Sequence, residues 1–121
     1  MTTPPSIVPK EQLFNHFSEI AWQELGGGIR RKIMAYGDQL MAVYLEFKKG
    51  AVGARHSHPH VQIAFVVSGS IELTIGQESR VLTAGDFYYV PSGAEHGAVA
   101  LEDAVVVDLF TPMRADFLPK E

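Results

Sequence analysis

Apolar and polar residues alternate with a period of two along most of this chain, and glycine-containing turns interrupt the alternation at short intervals. From Ile29 the side chains separate into Ile29, Arg31, Ile33 and Ala35 on one side and Arg30, Lys32, Met34 and Tyr36 on the other. Gly37-Asp38 predicts a turn, residues 40–47 a strand of aromatic and β-branched residues, and Lys48-Lys49-Gly50 the next turn. Residues 63–67 read as a short apolar strand and Ser68-Gly69-Ser70 as a hairpin turn; Ile71, Leu73 and Ile75 then alternate with Glu72 and Thr74 in a half-buried strand. Further strands are predicted at 80–82, 87–90, 99–101 and 104–110, separated by Gly76-Gln77, Ala84-Gly85-Asp86, Pro91-Ser92-Gly93 and the acidic Glu102-Asp103. Many short strands at this spacing predict one all-β sandwich or barrel, and the lack of a long helical period argues against βαβ folds.

The start of the chain reads differently. Pro4, Pro5 and Pro9 predict a tail or an edge arm, because proline has no N–H for a ladder and restricts the residue before it. Leu13, Phe14 and Phe17 have the spacing of a short amphipathic turn, with Ile20, Trp22 and Glu24 as the possible beginning of a strand. Gly26-Gly27-Gly28 breaks regular structure; no GK[ST] follows it, so a flexible turn fits better than a phosphate loop. The expected organisation is an N-terminal arm over 1–28 and a barrel over 29–121.

Composition narrows the class. A chain of 121 residues that is 46% hydrophobic and 20% charged suits one globular domain with a sizeable core. The absence of cysteine excludes disulfides, thiolate nucleophiles and thiolate metal sites. A net charge of −4 without any Lys/Arg block argues against nucleic-acid binding. No apolar run reaches membrane-spanning length, and the first residues, MTTPPSIVPK, lack a basic segment followed by an apolar core, so a soluble cytoplasmic protein is expected. The proline-rich arm and an apolar strand face suggest a homodimer, the commonest closed assembly.

The candidate chemistry lies in residues 50–69. His56, His58, His60 and Gln62 fall within seven residues, just before a run of strand formers. Neutral imidazole binds Zn, Ni, Fe and similar metals, and such groups two apart on a strand point to one side, so the segment predicts a metal site on the inner face of a barrel. A solvated histidine-rich loop is the alternative. His16 stands far from this group and is expected at the surface. A second candidate cluster lies near the end of the chain, where Asp108 and Phe110 share a side with Ala104 and Val106, and Arg114 follows Thr111-Pro112. A carboxylate in an apolar strand is costly to bury unless paired or used, so Asp108 is either functional or turned to solvent, and Arg114 is either a partner or a surface charge.

Two spacings resemble the cupins. Gly50, five residues, His56-x-His58, three residues, Gln62, six residues and Gly69 resemble their first motif; Gly85, five residues, Pro91-x-Gly93, two residues and His96 resemble their second. The resemblance implies a single-domain double-stranded β-helix, or jelly-roll barrel, in which His56, His58, Gln62 and His96 bind one divalent metal ion (Ni, Zn, Fe or Mn). It further implies that the two motifs face each other across the barrel, with His96 opposite the first three donors. His60 is left as a ligand, a substrate contact or a rim residue. The chain departs from the family pattern in having Gln62 for glutamate and Ala100 for asparagine. A neutral amide removes a charge from the donor set, which favours a Lewis-acid role over redox chemistry.

A narrower resemblance rests on the run HSHPHVQ, the turn Ala100-Leu101-Glu102-Asp103 and the spacing Asp108-x-Phe110-x-x-x-Arg114, all similar to the small pectin-degradation cupins of the KdgF type. It implies metal-dependent linearisation of 4,5-unsaturated monouronates, with Asp108, Phe110 and Arg114 handling the substrate. Competing readings are another Lewis-acid cupin, such as a polyketide cyclase, and a non-catalytic module that binds a sugar acid.

Overall fold

The computed structural model describes residues 7–119. It contains ten strands: β1 (Gln23–Gly26), β2 (Ile29–Gly37), β3 (Leu40–Phe47), β4 (Val52–His56), β5 (Val61–Ser68), β6 (Ser70–Ile75), β7 (Glu78–Thr83), β8 (Phe87–Val90), β9 (His96–Ala100) and β10 (Ala104–Thr111). They form an antiparallel six-stranded sheet in the order β1-β2-β3-β10-β5-β8 and a four-stranded sheet in the order β4-β9-β6-β7. The inner faces of the two sheets enclose the core, as the period of two requires. The all-β jelly-roll architecture is thus the expected one. Pro4 and Pro5 of the expected arm lie outside the described residues.

Tight hairpins join β1 to β2, β2 to β3 and β6 to β7, where the Gly-Gly, Gly-Asp and Gly-Gln turns stand. Ser68-Gly69-Ser70, read from sequence as a hairpin, is instead a crossing. β5 lies in the large sheet and β6 in the small one, with no ladder between them. The chain returns to the large sheet at residues 101–103, and the two crossings lie against each other. The Leu101 N–H donates to the Ser70 carbonyl at 3.0 Å, and the Ser70 hydroxyl donates to the Glu102 carboxylate at 2.8 Å. Gly69 has φ +79°, and a Cβ there would stand 2.1 Å from the Asp103 carbonyl oxygen, so only glycine lets the crossings touch.

The alternation in β10 is preserved: Ala104, Val106, Asp108 and Phe110 are buried. In β2 a bulge between Ile33 and Ala35 interrupts it. Ile33 is fully buried as expected, but beyond the bulge Tyr36, expected on the opposite side, packs against the core of Ile33, Met41, Val43 and Phe110. β4, which holds Gly53 and is mostly exposed, was not apparent from sequence, and β9 begins at His96 rather than at Val99; each is held by pairing with the other.

The expected amphipathic turn at residues 13–17 does not form, since Leu13 and Phe14 are 87% and 83% exposed and only Phe17–Glu19 makes a 3-10 turn. Residues 17–22 instead cover the outer face of β2 and β3. The buried Lys32 ammonium donates to the Phe17 carbonyl at 2.6 Å and lies 3.8 Å from the centre of the Phe17 ring, while Phe17 packs edge-on against Tyr44. Within the span expected to be an arm, β1 extends the large sheet, and Val8 and Ile20 are buried. No helix among the described residues is long and apolar enough to cross a membrane.

Gly69→Ala is expected to destabilise the fold by about 3 kcal/mol or more. Gly76→Ala, at φ +60° with open space around it, is expected to lose about 1 kcal/mol. Denaturant melts of the two variants measure the difference, which arises from the 2.1 Å approach at Gly69 alone.

Candidate metal centre

His56 is the last residue of β4, His58 lies in the following loop, Gln62 sits near the start of β5, and His96 opens β9. The histidines therefore do not share one strand; a turn carries His58 back towards the site. His96 does not face His56 across the barrel either. β4 pairs with β9 so that His56 and His96 are direct neighbours in the small sheet, with ring centroids 4.3 Å apart, and Gln62 comes from the large sheet. The close pairing is eased by Gly97, where a Cβ would lie 3.1 Å from the Gly53 carbonyl oxygen.

Among the described residues, His56, His58 and His96 each offer a ring nitrogen, all within 4.8 Å of one another. In each ring Nδ1 faces a backbone carbonyl: Ala54 at 2.8 Å for His56, His60 at 3.0 Å for His58 and Ala94 at 3.0 Å for His96. A carbonyl oxygen only accepts, so each Nδ1 carries the proton and each Nε2 keeps a lone pair. Burial holds the pKa of His58 and of His96 below the ordinary imidazole value, which favours the neutral, metal-competent form at neutral pH.

Gln62 stands beside them. Its Oε1 lies 3.1 Å from His58 Nε2, although both atoms present lone pairs. Two acceptors this close repel unless a cation lies against both, and donors about 2.1 Å from a shared ion stand at roughly this separation. The residues therefore fit a divalent metal ion. With Oε1 turned this way, the Gln62 amide nitrogen is left for Asp108, whose ionised form it stabilises. His60 does not join the group; its ring packs against those of His58 and Phe110, at centroid distances of 5.5 and 6.5 Å. His16 is exposed, as expected.

The second motif also holds the first. The Gly93 N–H donates to the His58 carbonyl at 2.9 Å, and the Ser92 hydroxyl donates to the Pro59 carbonyl at 2.6 Å. Pro91-Ser92-Gly93 thereby braces the loop that presents His58.

His56, Gln62 and His96 open into a cavity of about 230 Å³ inside the barrel, lined also by Asp108, Phe110, Arg114, Tyr88, Arg31 and Phe117. Asp108 points inward and is 8% exposed, and its Oδ1 has no hydrogen-bond partner. Burial pushes its pKa up to about 7, against the pull of Gln62 and Arg114, so the carboxyl can take and return a proton near neutrality. Arg114 is also buried, and its Nε and Nη2 donate to the Asp116 carboxylate at 2.9 and 2.7 Å. Phe110 packs edge-on against His58 at 5.7 Å and closes the floor between the donors and Arg114.

Tyr88 and Arg31 did not emerge as site residues from sequence. Tyr88 pairs with Ala64, which in turn pairs with Asp108, and burial and the Asp108 charge raise its pKa well above the usual phenol value. The alternation already placed Arg31 beside Ile29 and Ile33, but an arginine flanked by two basic residues gave no sign of facing a cavity.

A two-sheet jelly roll with three converging histidines is the arrangement of a cupin, and residues 43–110 match the cupin domain family. The chain belongs to the cupins. More narrowly, it is 49% identical over 102 residues to the pectin degradation protein KdgF of Dickeya dadantii, a match spanning 83% of this chain and 93% of that protein. The solved structure of KdgF from a Halomonas species superposes with a TM-score of 0.85 at 46% identity, covering 88% of this chain and 99% of that one. An RmlC-like cupin from Shewanella frigidimarina superposes with a TM-score of 0.88 at 36% identity, covering 90% and 98%.

Loading the apo protein with a divalent ion is expected to raise its melting temperature, since an ion at 100 times its Kd adds about 2.7 kcal/mol. His96→Ala is expected to remove this rise and the bound metal. Elemental analysis alongside thermal melts checks both.

Proposed function

We propose that this chain linearises 4,5-unsaturated monouronates, of the kind released by pectate or alginate lyases, to open-chain 4-deoxy-5-keto acids. One observation carries the reading: His56, Gln62 and His96, with His58 grouped against them, line a single cavity with a buried carboxyl and a buried arginine. The 49% identity to a pectin degradation protein supports the same substrate class.

The substrate carries a hydroxyl on C1 and a C4=C5 bond between the ring oxygen and the carboxylate. Asp108 takes the O1 proton, and the released electron pair forms the C1 carbonyl. The C1–O5 bond breaks, leaving an enolate across O5, C5 and C4. Asp108 returns the proton to C4, and the C5 ketone forms, so the reaction is a net isomerisation. His56, His58, Gln62 and His96 hold one divalent ion (Ni, Zn, Fe or Mn). When bound, that ion supplies Lewis-acid stabilisation for charge on the former ring oxygen. Arg114 places positive charge towards the substrate carboxylate, and Phe110 packs against the sugar and excludes water.

Asp108→Asn is expected to lower turnover by about 10²–10⁴-fold while keeping its bound metal. The assay is loss of the conjugated-enoate absorbance in fresh lyase products, compared with a metal-stripped control because the chromophore also decays unaided. Wild-type protein no faster than that control overturns the reading, and near-normal turnover of Asp108→Asn removes Asp108 as proton carrier.

A cytoplasmic homodimer belongs to the same reading. The outer face of β5, β8 and β10 exposes Ile63, Phe87, Tyr89 and Leu109, with Ile63 in register with both Tyr89 and Leu109. Such an apolar sheet face suits a second copy. Light scattering is expected to give twice the 13.3 kDa chain mass, and Phe87→Glu to return the monomer.

A further inference from the structure

We infer that Arg31 is a specificity-determining residue of the cavity, presenting a free guanidinium edge to the carboxylate of a sugar acid. This rests on reading the cavity as a uronate site. Arg30, Arg55, Arg80 and Arg114 each pair with a carboxylate, namely Glu46, Glu95, Glu78 and Asp116. Among the described residues, Arg31 is the one arginine without such a partner, and it is half-buried in the lining of the cavity.

Gln23 and Phe117 orient it without neutralising it, and the Asp116 carboxylate, paired with Arg114, acts on it only through space. Gln23 stands directly opposite on β1, and Arg31 Nε donates to Gln23 Oε1 at 2.7 Å. The guanidinium carbon lies 3.7 Å from the centre of the Phe117 ring. A neutral acceptor at Nε and a ring at one face leave Nη1 and Nη2, which meet no acceptor among the described residues. That edge matches a carboxylate bidentately. Arg114 has the opposite arrangement, since Asp116 already occupies its Nε and Nη2. Arg114 thus supplies charge and shape beside a site whose open fork belongs to Arg31.

Burial, and then the Arg114 charge, lower the pKa of Arg31, so the two guanidinium groups repel across the cavity mouth. A bound anion relieves that repulsion. Arg31 on β2 pairs with Leu45 on β3, which pairs with Val106 on β10, two residues from Asp108, so the backbones of Arg31 and Asp108 stand roughly 12 Å apart and one small acid can bridge from the guanidinium to the carboxyl.

The test uses the metal-loaded protein with Arg31→Gln, Arg31→Lys and Gln23→Leu. Binding of galacturonate, a saturated uronate that cannot ring-open by this route, is measured by calorimetry; KM and kcat are measured on lyase products. Arg31→Gln is expected to weaken galacturonate binding and raise KM by about 10- to 100-fold, with kcat within about threefold and metal content unchanged. Arg31→Lys is expected to recover part of the affinity, and Gln23→Leu to shift KM in the same direction by less, which also serves if Arg31→Gln does not fold. Unchanged galacturonate affinity and KM in Arg31→Gln overturns the inference while leaving the reaction standing. So does a loss of kcat and melting temperature at constant KM, which would make Arg31 a clamp on Phe117. Arg31-dependent galacturonate binding by a wild-type protein that leaves lyase products untouched supports the anion site and rejects the reaction instead. Wild-type protein that neither binds galacturonate nor turns over lyase products rejects both.

Discussion

The candidate metal site depends on a backbone contact that none of its donors makes with its side chain. His58 sits in a loop that leaves the small sheet and enters the large one, where no ladder holds it. The Gly93 N–H and the Ser92 hydroxyl bind the carbonyls of His58 and Pro59 and keep this loop against the barrel. With the loop braced, His58 Nδ1 finds the His60 carbonyl and Nε2 turns inward beside Gln62. The spacing between Gly93 and His96 joins the brace and the last donor in one short segment. One turn and one strand of the second motif therefore position both ends of the first.

Two charge environments meet in the same cavity. On the donor side, neutral imidazoles and an amide surround a place suited to a cation. Asp108 lies next to them, buried and incompletely hydrogen-bonded, and its burial pushes its pKa up to about 7. On the other side Arg114 has its Nε and Nη2 paired with Asp116, while Arg31 is oriented by a neutral glutamine. Phe117 lies within reach of both guanidinium groups and connects the carboxyl-terminal turn to the mouth of the cavity.

How far the sequence could be read differed between elements for physical reasons. β10 was legible down to individual side chains because a strand packed on one face keeps strict alternation, so Asp108 and Phe110 fell on the buried side with Val106. β2 was legible only as far as its bulge, which no residue type announces, and Tyr36 was therefore misplaced. Gly69 was identified as a turn from its composition, but a hairpin and a crossing between sheets use the same residues. The distinction lies in the pairing partners, which are remote in sequence. Leu13 and Phe14 had helical spacing, yet a short segment with no surface to cover stays irregular.

The sequence by itself determined a single all-β domain and the two spaced motifs with their four metal-capable donors. These follow from period, turn chemistry and donor type, all of which are local. Tertiary structure decided which donors are neighbours: His56 and His96 sit side by side in one sheet, and Gln62 reaches them from the other. It also decided that Arg31 and Tyr88 face the cavity and that Asp116 occupies the fork of Arg114. Those outcomes depend on which strands pair, and strand pairing is set by packing across the whole barrel rather than by any stretch of the chain read alone.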